Sequence, residues 1–256
     1  MNYRFPFGSP LHPVQQTDRT PKPLFILGVY ASAVHARWLD TKGRTLVQAL
    51  AVASEPCIFW RGEDAERIIN SINVAEGAGR LVPASNELNG PSGIALDERF
   101  LHPLGHDRST AWLCDLLPES RVNPSQAAAI ERSYRPRMME LGLPEPNVPE
   151  FNKAESDTDA RRAEILAELK ASGARRIVVL GDIPIQQFIG PLSSKLVRNL
   201  RHLSDMAGYG RPWSTRLKGY EVEVIGLCHP RQAARLGSSS SVWGAAHDAW
   251  MKQMRG

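Results

Sequence analysis

Five short apolar runs, at residues 24–29, 45–53, 110–115, 176–181 and 220–227, constrain this chain more than any other feature of its sequence. Each has the length of a strand and is bounded by proline, glycine or charged residues, the mark of a strand buried on both faces. Helical signals fill most of the segments between them. Ala65, Ile68, Ile69 and Ile72 recur at helical spacing within residues 63–72. Asn123-Pro124 sets an N-cap residue before a proline at the first helical position, opening a predicted helix to Leu141. Residues 156–172 place acids in the first turn and Gly173 just past the end, so both helix termini are marked. Shorter helices are predicted over 32–39, 184–189 and 194–206, and a closing one over 242–254. Apolar strands alternating with helices predict an α/β fold: three layers, α/β/α, around a short, mostly parallel central sheet.

A chain of 256 residues suits one large domain or two small ones. Residues 1–23, rich in proline, read as an irregular arm. Residues 24–256 read as a single α/β/α domain carrying an insertion at about 40–109. Within it, residues 75–109 are rich in Gly, Pro, Asn and Ser and read as a long loop. Cys57, Cys114 and Cys228 are far apart and form no CxxC pair, which argues against a zinc or iron–sulfur site and against a secreted disulfide framework. No apolar run is long enough to span a bilayer, and the arm lacks the apolar core of a signal peptide. The expectation is a cytoplasmic monomer with no membrane partner, no metal and no cofactor.

In parallel α/β sheets ligands bind beyond the carboxyl ends of the strands. The residues that follow each strand are therefore the candidate site. Gly28, Tyr30, Ser32 and His35 follow the first run, Asp115 the third, Asp182 the fourth, and His229, Pro230, Arg231 and Gln232 the last. No GxGxxG or GxxxxGK[ST] is present to cradle phosphates. Gly90-Pro91-Ser92-Gly93 misses the GxSxG elbow by one residue. Cys228 and His229 are neighbours on extended chain and point to opposite faces, so they do not form a thiol–imidazole pair. His102, His106 and Asp107 are interrupted by Pro103 and Gly105 and read as a surface turn. Asn86 and Asn89 lie where a loop would cover the rim or simply connect two elements.

The strand end at Gly28 with its SAVHAR continuation, the IVVLGDIPIQQF strand and the late HPRQAARLG segment resemble the uracil-DNA glycosylase superfamily. The resemblance covers about residues 24–250 and implies a three-layer α/β/α domain that hydrolyses the N-glycosidic bond of a flipped base in DNA. Gly28 matches the glycine that opens the first motif, and His229-Pro230 matches the second, whose histidine stabilises the departing base. The resemblance makes residues 231–236, including Arg231, Gln232, Arg235 and Leu236, a loop entering the minor groove, with Leu236 as a wedge. Asp115 stands where the family carries its base-reading residue; an ionised carboxylate only accepts hydrogen bonds, which hints at a base other than uracil. Tyr30 stands where many members carry Asp or Asn to position water, and Ala31 replaces the expected proline. Water activation is then left to His35, Asp115 or Asp182, with Tyr30, Ser32 and Asn89 contacting substrate. The alternative is an inactive member that binds nucleic acid or a nucleotide, and beyond it a different hydrolase on the same scaffold.

The net charge of +4 is uninformative as a whole-chain figure. Residues 191–220, however, hold Lys195, Arg198, Arg201, Arg211, Arg216 and Lys218 against Asp205 alone, with Tyr209 and Trp213 among them. Cations interleaved with aromatics suit a phosphate backbone and an unstacked base. Arg211, Arg216 and Lys218 are accordingly expected to share one DNA-binding rim with Arg231 and Arg235.

Overall fold

The computed structural model of the chain describes residues 3–236 and 240–255. Its strands are β1 (Leu24–Tyr30), β2 (Ala33–Leu39), β3 (Thr45–Ser54), β4 (Arg80–Pro83), β5 (Ala111–Leu117), β6 (Arg176–Leu180), β7 (Pro212–Leu217) and β8 (Tyr220–Leu227). Its helices are α1 (Ala65–Asn70), α2 (Pro91–Leu96), α3 (Pro124–Ala129), α4 (Arg135–Leu141), α5 (Lys153–Ser156) and α6 (Asp159–Ser172). They continue with α7 (Asp182–Pro184), α8 (Gly190–Leu192), α9 (Leu200–Ala207), α10 (Pro230–Ala233) and α11 (Ser240–Arg255). Internal contacts divide the chain into two compact units, one of residues up to 14, 30–91 and 118–151, the other of 15–29, 92–117 and 152 onward. The stretch expected as an arm over 1–23 is shared between them, and so is the stretch expected as an insertion over 40–109.

The first unit holds a three-stranded sheet in the order β3-β2-β4, with β2 antiparallel to both neighbours. Here the sequence misleads. Residues 32–39 are not a helix but the central strand β2, because Val34, Ala36 and Trp38 are buried at alternate positions while Arg37 points to solvent. Trp38 packs edge-on to Phe7 at 5.3 Å, and its indole N–H donates to the Ala78 carbonyl at 2.6 Å. Tyr134 closes this core from the helical side. Its hydroxyl accepts from the Phe7 amide and donates to the Pro144 carbonyl, both at 2.9 Å. The expected loop over 75–109 also contains β4, α2 and a π-helical turn, Asp97–Leu101.

The second unit holds the central sheet, ordered β5-β1-β6-β8-β7. β6 runs parallel to both β1 and β8, and only β7 is shown antiparallel, as a hairpin with β8. The fold is α/β with a mostly parallel five-stranded sheet and helices around it. From β1 the chain forms β5 on one side and then β6 on the other, so the strand order reverses between β1 and β6. Such a switch point opens a crevice at the carboxyl ends of the strands. β7 escapes the apolar-run rule because it is an edge strand with one wet face. Thr215 and Leu217 are buried, Ser214 and Arg216 exposed, and Pro212 takes the first position, where no ladder donor is needed. The helix predicted over 194–206 is confined to α9, capped by the Asn199 side chain accepting from His202 N–H at 2.8 Å.

Candidate functional site at the carboxyl ends of the parallel strands

The parallel pairings set Gly28 of β1, Gly181 after β6 and Cys228-His229 after β8 toward one end of the sheet. Gly181 N–H donates to the Leu227 carbonyl at 2.8 Å, and a side chain at Gly181 would meet His229 Cβ at 3.7 Å. Gly181 itself sits at φ 92°, ψ −171°, a region open essentially to glycine alone. A glycine in a conformation that other residues avoid thus joins the two strand ends.

His229 is fixed on almost every polar atom. Its amide donates to Gln232 Oε1 at 3.1 Å, and its carbonyl accepts from the amides of Gln232 and Ala233 at 2.8 and 3.1 Å. Its Nδ1 accepts from the Arg231 amide at 3.2 Å. An Nδ1 that accepts from a backbone amide carries no proton, so the proton of the neutral ring is on Nε2. Among the described residues nothing pairs with Nε2. Burial, reinforced by the Arg231 charge, pushes the imidazole down to about 4. The ring is therefore neutral at ordinary pH, with a single N–H left to give. Pro230 supports this arrangement as the first residue of α10, where its missing N–H is no loss.

Asp115 lies inside β5, not beyond it as the sequence suggested, because the apolar run continues through Leu116 and Leu117. It is 5% exposed, and burial raises its carboxyl to about 7 against the lesser pull of the Arg161 charge. Near neutrality it is partly a carboxylic acid, which donates as well as accepts, so the acceptor-only reading of this position is replaced. Asp182 is exposed, and its Oδ1 accepts from the Leu200 amide at 2.8 Å, tying α7 to the start of α9. Cys228 is buried with its thiol held protonated by burial, up to about 11, and is no nucleophile.

The remaining expected substrate contacts belong to the other unit. His35 lies on β2. Asn89 is 4% exposed and spends its carboxamide on one residue, accepting from the His35 amide at 2.8 Å and donating to the His35 carbonyl at 2.9 Å. That is a strut, not a base-reading loop. Tyr30 packs its ring on Phe151 at 5.5 Å, and the Ser32 carbonyl accepts from Ser120 Oγ.

The basic residues do not share one rim. Gly210 N–H bonds the Gly226 carbonyl and Pro212 pairs with Ile225, so Arg211 lies near the His229 end. Arg216 pairs with Glu221, and Lys218 occupies the hairpin turn before Tyr220. The antiparallel return of β7 thus carries Arg216 and Lys218 to the opposite end of the sheet, roughly 20 Å along β8 at about 3.3 Å per residue. Arg216 is also engaged by the Glu221 carboxylate at 2.9 Å. A groove of about 800 Å³ at that end is lined by Glu221 and Glu223 as well as Arg175, Lys195 and Arg216, so its charge is mixed. Arg235, in left-handed backbone at φ 63°, gives its guanidinium to Asp248 at 2.6 Å and to the Ser240 carbonyl at 3.1 Å. Gln232 is drawn onto His229. Arg231 is half-buried, its guanidinium reaching the Leu236 carbonyl at 3.4 Å, and Leu236 is half-buried too.

Sequence reasoning missed His247, and it read Tyr209 as an aromatic for an unstacked base where the structure turns its hydroxyl inward. Tyr209 Oη receives the Cys228 amide at 3.0 Å and contacts His247 Nδ1 at 2.9 Å, immediately behind His229. Only a buried histidine late in an amphipathic helix could have signalled it. Among the described residues no group of three metal-ligating side chains occurs, and no helix is long and apolar enough to cross a membrane. His106 Nδ1 lies 3.3 Å from Thr110 Oγ1, and Asp107 accepts from the Ser109 and Thr110 amides, as a turn requires. Compared with known protein families and with curated proteins, the sequence matches none.

Proposed function

We propose that the chain is a DNA glycosylase-like protein, acting as a cytoplasmic monomer, that takes up a flipped base at the carboxyl end of its five-stranded sheet. It hydrolyses the N-glycosidic bond of uracil or another altered base. The observation that carries this reading is His229, a neutral imidazole with every polar atom engaged except Nε2–H. When the bond from sugar to base breaks, the electron pair leaves with the base and charge gathers on its ring carbonyl. A preorganised neutral donor stabilises that charge without reorganisation. Water then bonds to the sugar carbon and gives up a proton to the carboxylate that orients it, and the base anion takes up a proton as it leaves.

The other residues take supporting parts. Asp115 reads the base edge: protonated, it offers a donor and an acceptor together, which fits a ring with adjacent C=O and N–H groups. Gly28, lacking a side chain, allows close approach. Arg211, Arg231 and Leu236 face the DNA. Asp182, with one oxygen on Leu200, keeps the other for water, a role for which Asp115 is the other candidate in the same unit. A second reading, an inactive relative that binds DNA without cutting, is favoured by Tyr30, a phenol packed on Phe151 where many relatives carry a carboxylate or amide.

Base release from oligonucleotides carrying uracil or hypoxanthine tests the proposal. Release by the wild type that is lost in His229→Asn supports it. Binding with steep salt dependence and no release selects the second reading. Binding indifferent to salt removes both.

A further inference from the structure

His247 is fully buried, and no part of the chemistry above uses it. Its hydrogen bonds define its state. Nε2 lies 2.8 Å from the Arg99 carbonyl, which can only accept, so Nε2 carries the proton. Burial pushes the ring down to about 4, so it is neutral and Nδ1 must accept. The Tyr209 hydroxyl therefore donates to His247 Nδ1 while accepting from the Cys228 amide. The Tyr209 ring is held in turn, stacked on Trp243 at 5.9 Å with Arg201 over the far indole. Asp248, the next residue of α11, binds Arg99 and also Arg235 in the loop after His229. One helix turn thus holds the Cys228 amide before His229, through Tyr209, and the Arg235 side chain after it.

We propose that Tyr209 and His247 are positioning residues for His229: their hydrogen-bonded pair anchors the Cys228 amide and so aims the His229 imidazole. This rests on the reading of His229 as the donor to the departing base. Neither residue touches the reacting atoms. The pair acts by removing slack from the peptide that carries His229, and a loosened peptide would let Nδ1 slip from the Arg231 amide and the ring change tautomer.

The test uses the full chain and two readouts. Nitrogen-15 NMR of the His229 ring at neutral pH reports its tautomer whether or not any base is released, and single-turnover base release reports function. Tyr209→Phe keeps the stacked ring and deletes the hydroxyl. It should convert the pure Nε2–H signature of His229 to a mixture and slow release about tenfold, the scale of one net hydrogen bond, with KM little changed. His247→Gln, whose carboxamide can accept from Tyr209 and donate to Arg99, should retain the wild-type signature, whereas His247→Leu should behave like Tyr209→Phe. An unchanged His229 signature in both Tyr209→Phe and His247→Leu overturns the proposal. A changed signature in a protein that releases no base from any substrate upholds the positioning role and sinks the glycosylase reading instead.

Discussion

Arg161 grips the main chain of Asp115 and leaves its carboxyl group alone. The guanidinium donates to the Asp115 carbonyl at 2.8 Å and to the Leu116 carbonyl at 2.7 Å. It thereby meets the hydrogen-bonding need of the strand end without neutralising the carboxylate, which shows no hydrogen bond or ion pair among the described residues. The pH dependence follows from that choice.

The Asp115 carboxyl ionises near 4 when unfolded and at about 7 when folded. Between those values the folded state holds more protons, so stability falls as pH rises from about 4 to about 7 and then levels. The swing is on the order of 4 kcal/mol, at about 1.4 kcal/mol per pH unit. Asp115→Asn should abolish it and be the more stable protein at pH 8, as read from urea unfolding at a series of pH values. Base release by the wild type should decline through pH 7, while the Asn variant stays flat. A pH-independent wild-type stability would refute the assignment.

His229 runs the other way. Its folded value, about 4, lies below its ordinary 6.5, so the unfolded state binds the extra proton and this contribution to stability is lost as pH falls from 6.5 to 4. His229→Asn separates structure from chemistry, because asparagine is a good N-cap for α10 but cannot place a donor where Nε2–H stands. Stability should change by less than about 1 kcal/mol, while base release should fall roughly 100-fold or more.

Asn89→Ala should cost about 2 kcal/mol, measured by chemical denaturation. The substitution deletes both side-chain hydrogen bonds to the partly buried His35 backbone, each worth about 1 kcal/mol, while the His35 carbonyl keeps the Ala84 amide at 3.1 Å. Asn89→Asp retains the acceptor and loses the donor, so it should also destabilise. A negligible loss in Asn89→Ala would show that the strut bears little load.

Gly181→Ala should destabilise by about 1–3 kcal/mol through backbone strain alone, since the added methyl meets His229 only at ordinary contact distance. Any relief of that strain moves the joint between β6 and β8. Base release should therefore drop more than stability, and the two are compared by assaying well below the melting transition.

The split of the basic segment gives a direct contrast in DNA binding. Arg211→Ala and Arg231→Ala should each weaken binding and lower the salt slope by about 1. Lys218→Ala, at the far end of β8, should leave both unchanged. Equal losses in all three would place the DNA along the hairpin instead.

The sequence by itself determined the elements whose signals are contiguous. The apolar runs that became β1, β3, β5, β6 and β8 are legible because each strand is buried over several consecutive residues, and the body of α6 is legible because its first-turn acid and its terminator Gly173 adjoin it, although it starts at Asp159 behind a Thr158 cap and not at 156. It misread β2, whose period-two burial over seven residues passes for a short helix, and β7, whose wet edge leaves no apolar run. Among the candidate residues, the place of His229 at a strand end was legible. Its tautomer, the protonation of Asp115, the diversion of Asn89 and Arg235 to structural work, and the existence of the Tyr209–His247 pair were not. Those depend on partners distant in sequence, 38 residues for Tyr209–His247 and 54 for Asn89–His35. A side chain's identity fixes which hydrogen bonds it can make; only packing decides which ones remain when water has gone, and with them which groups stay free for chemistry.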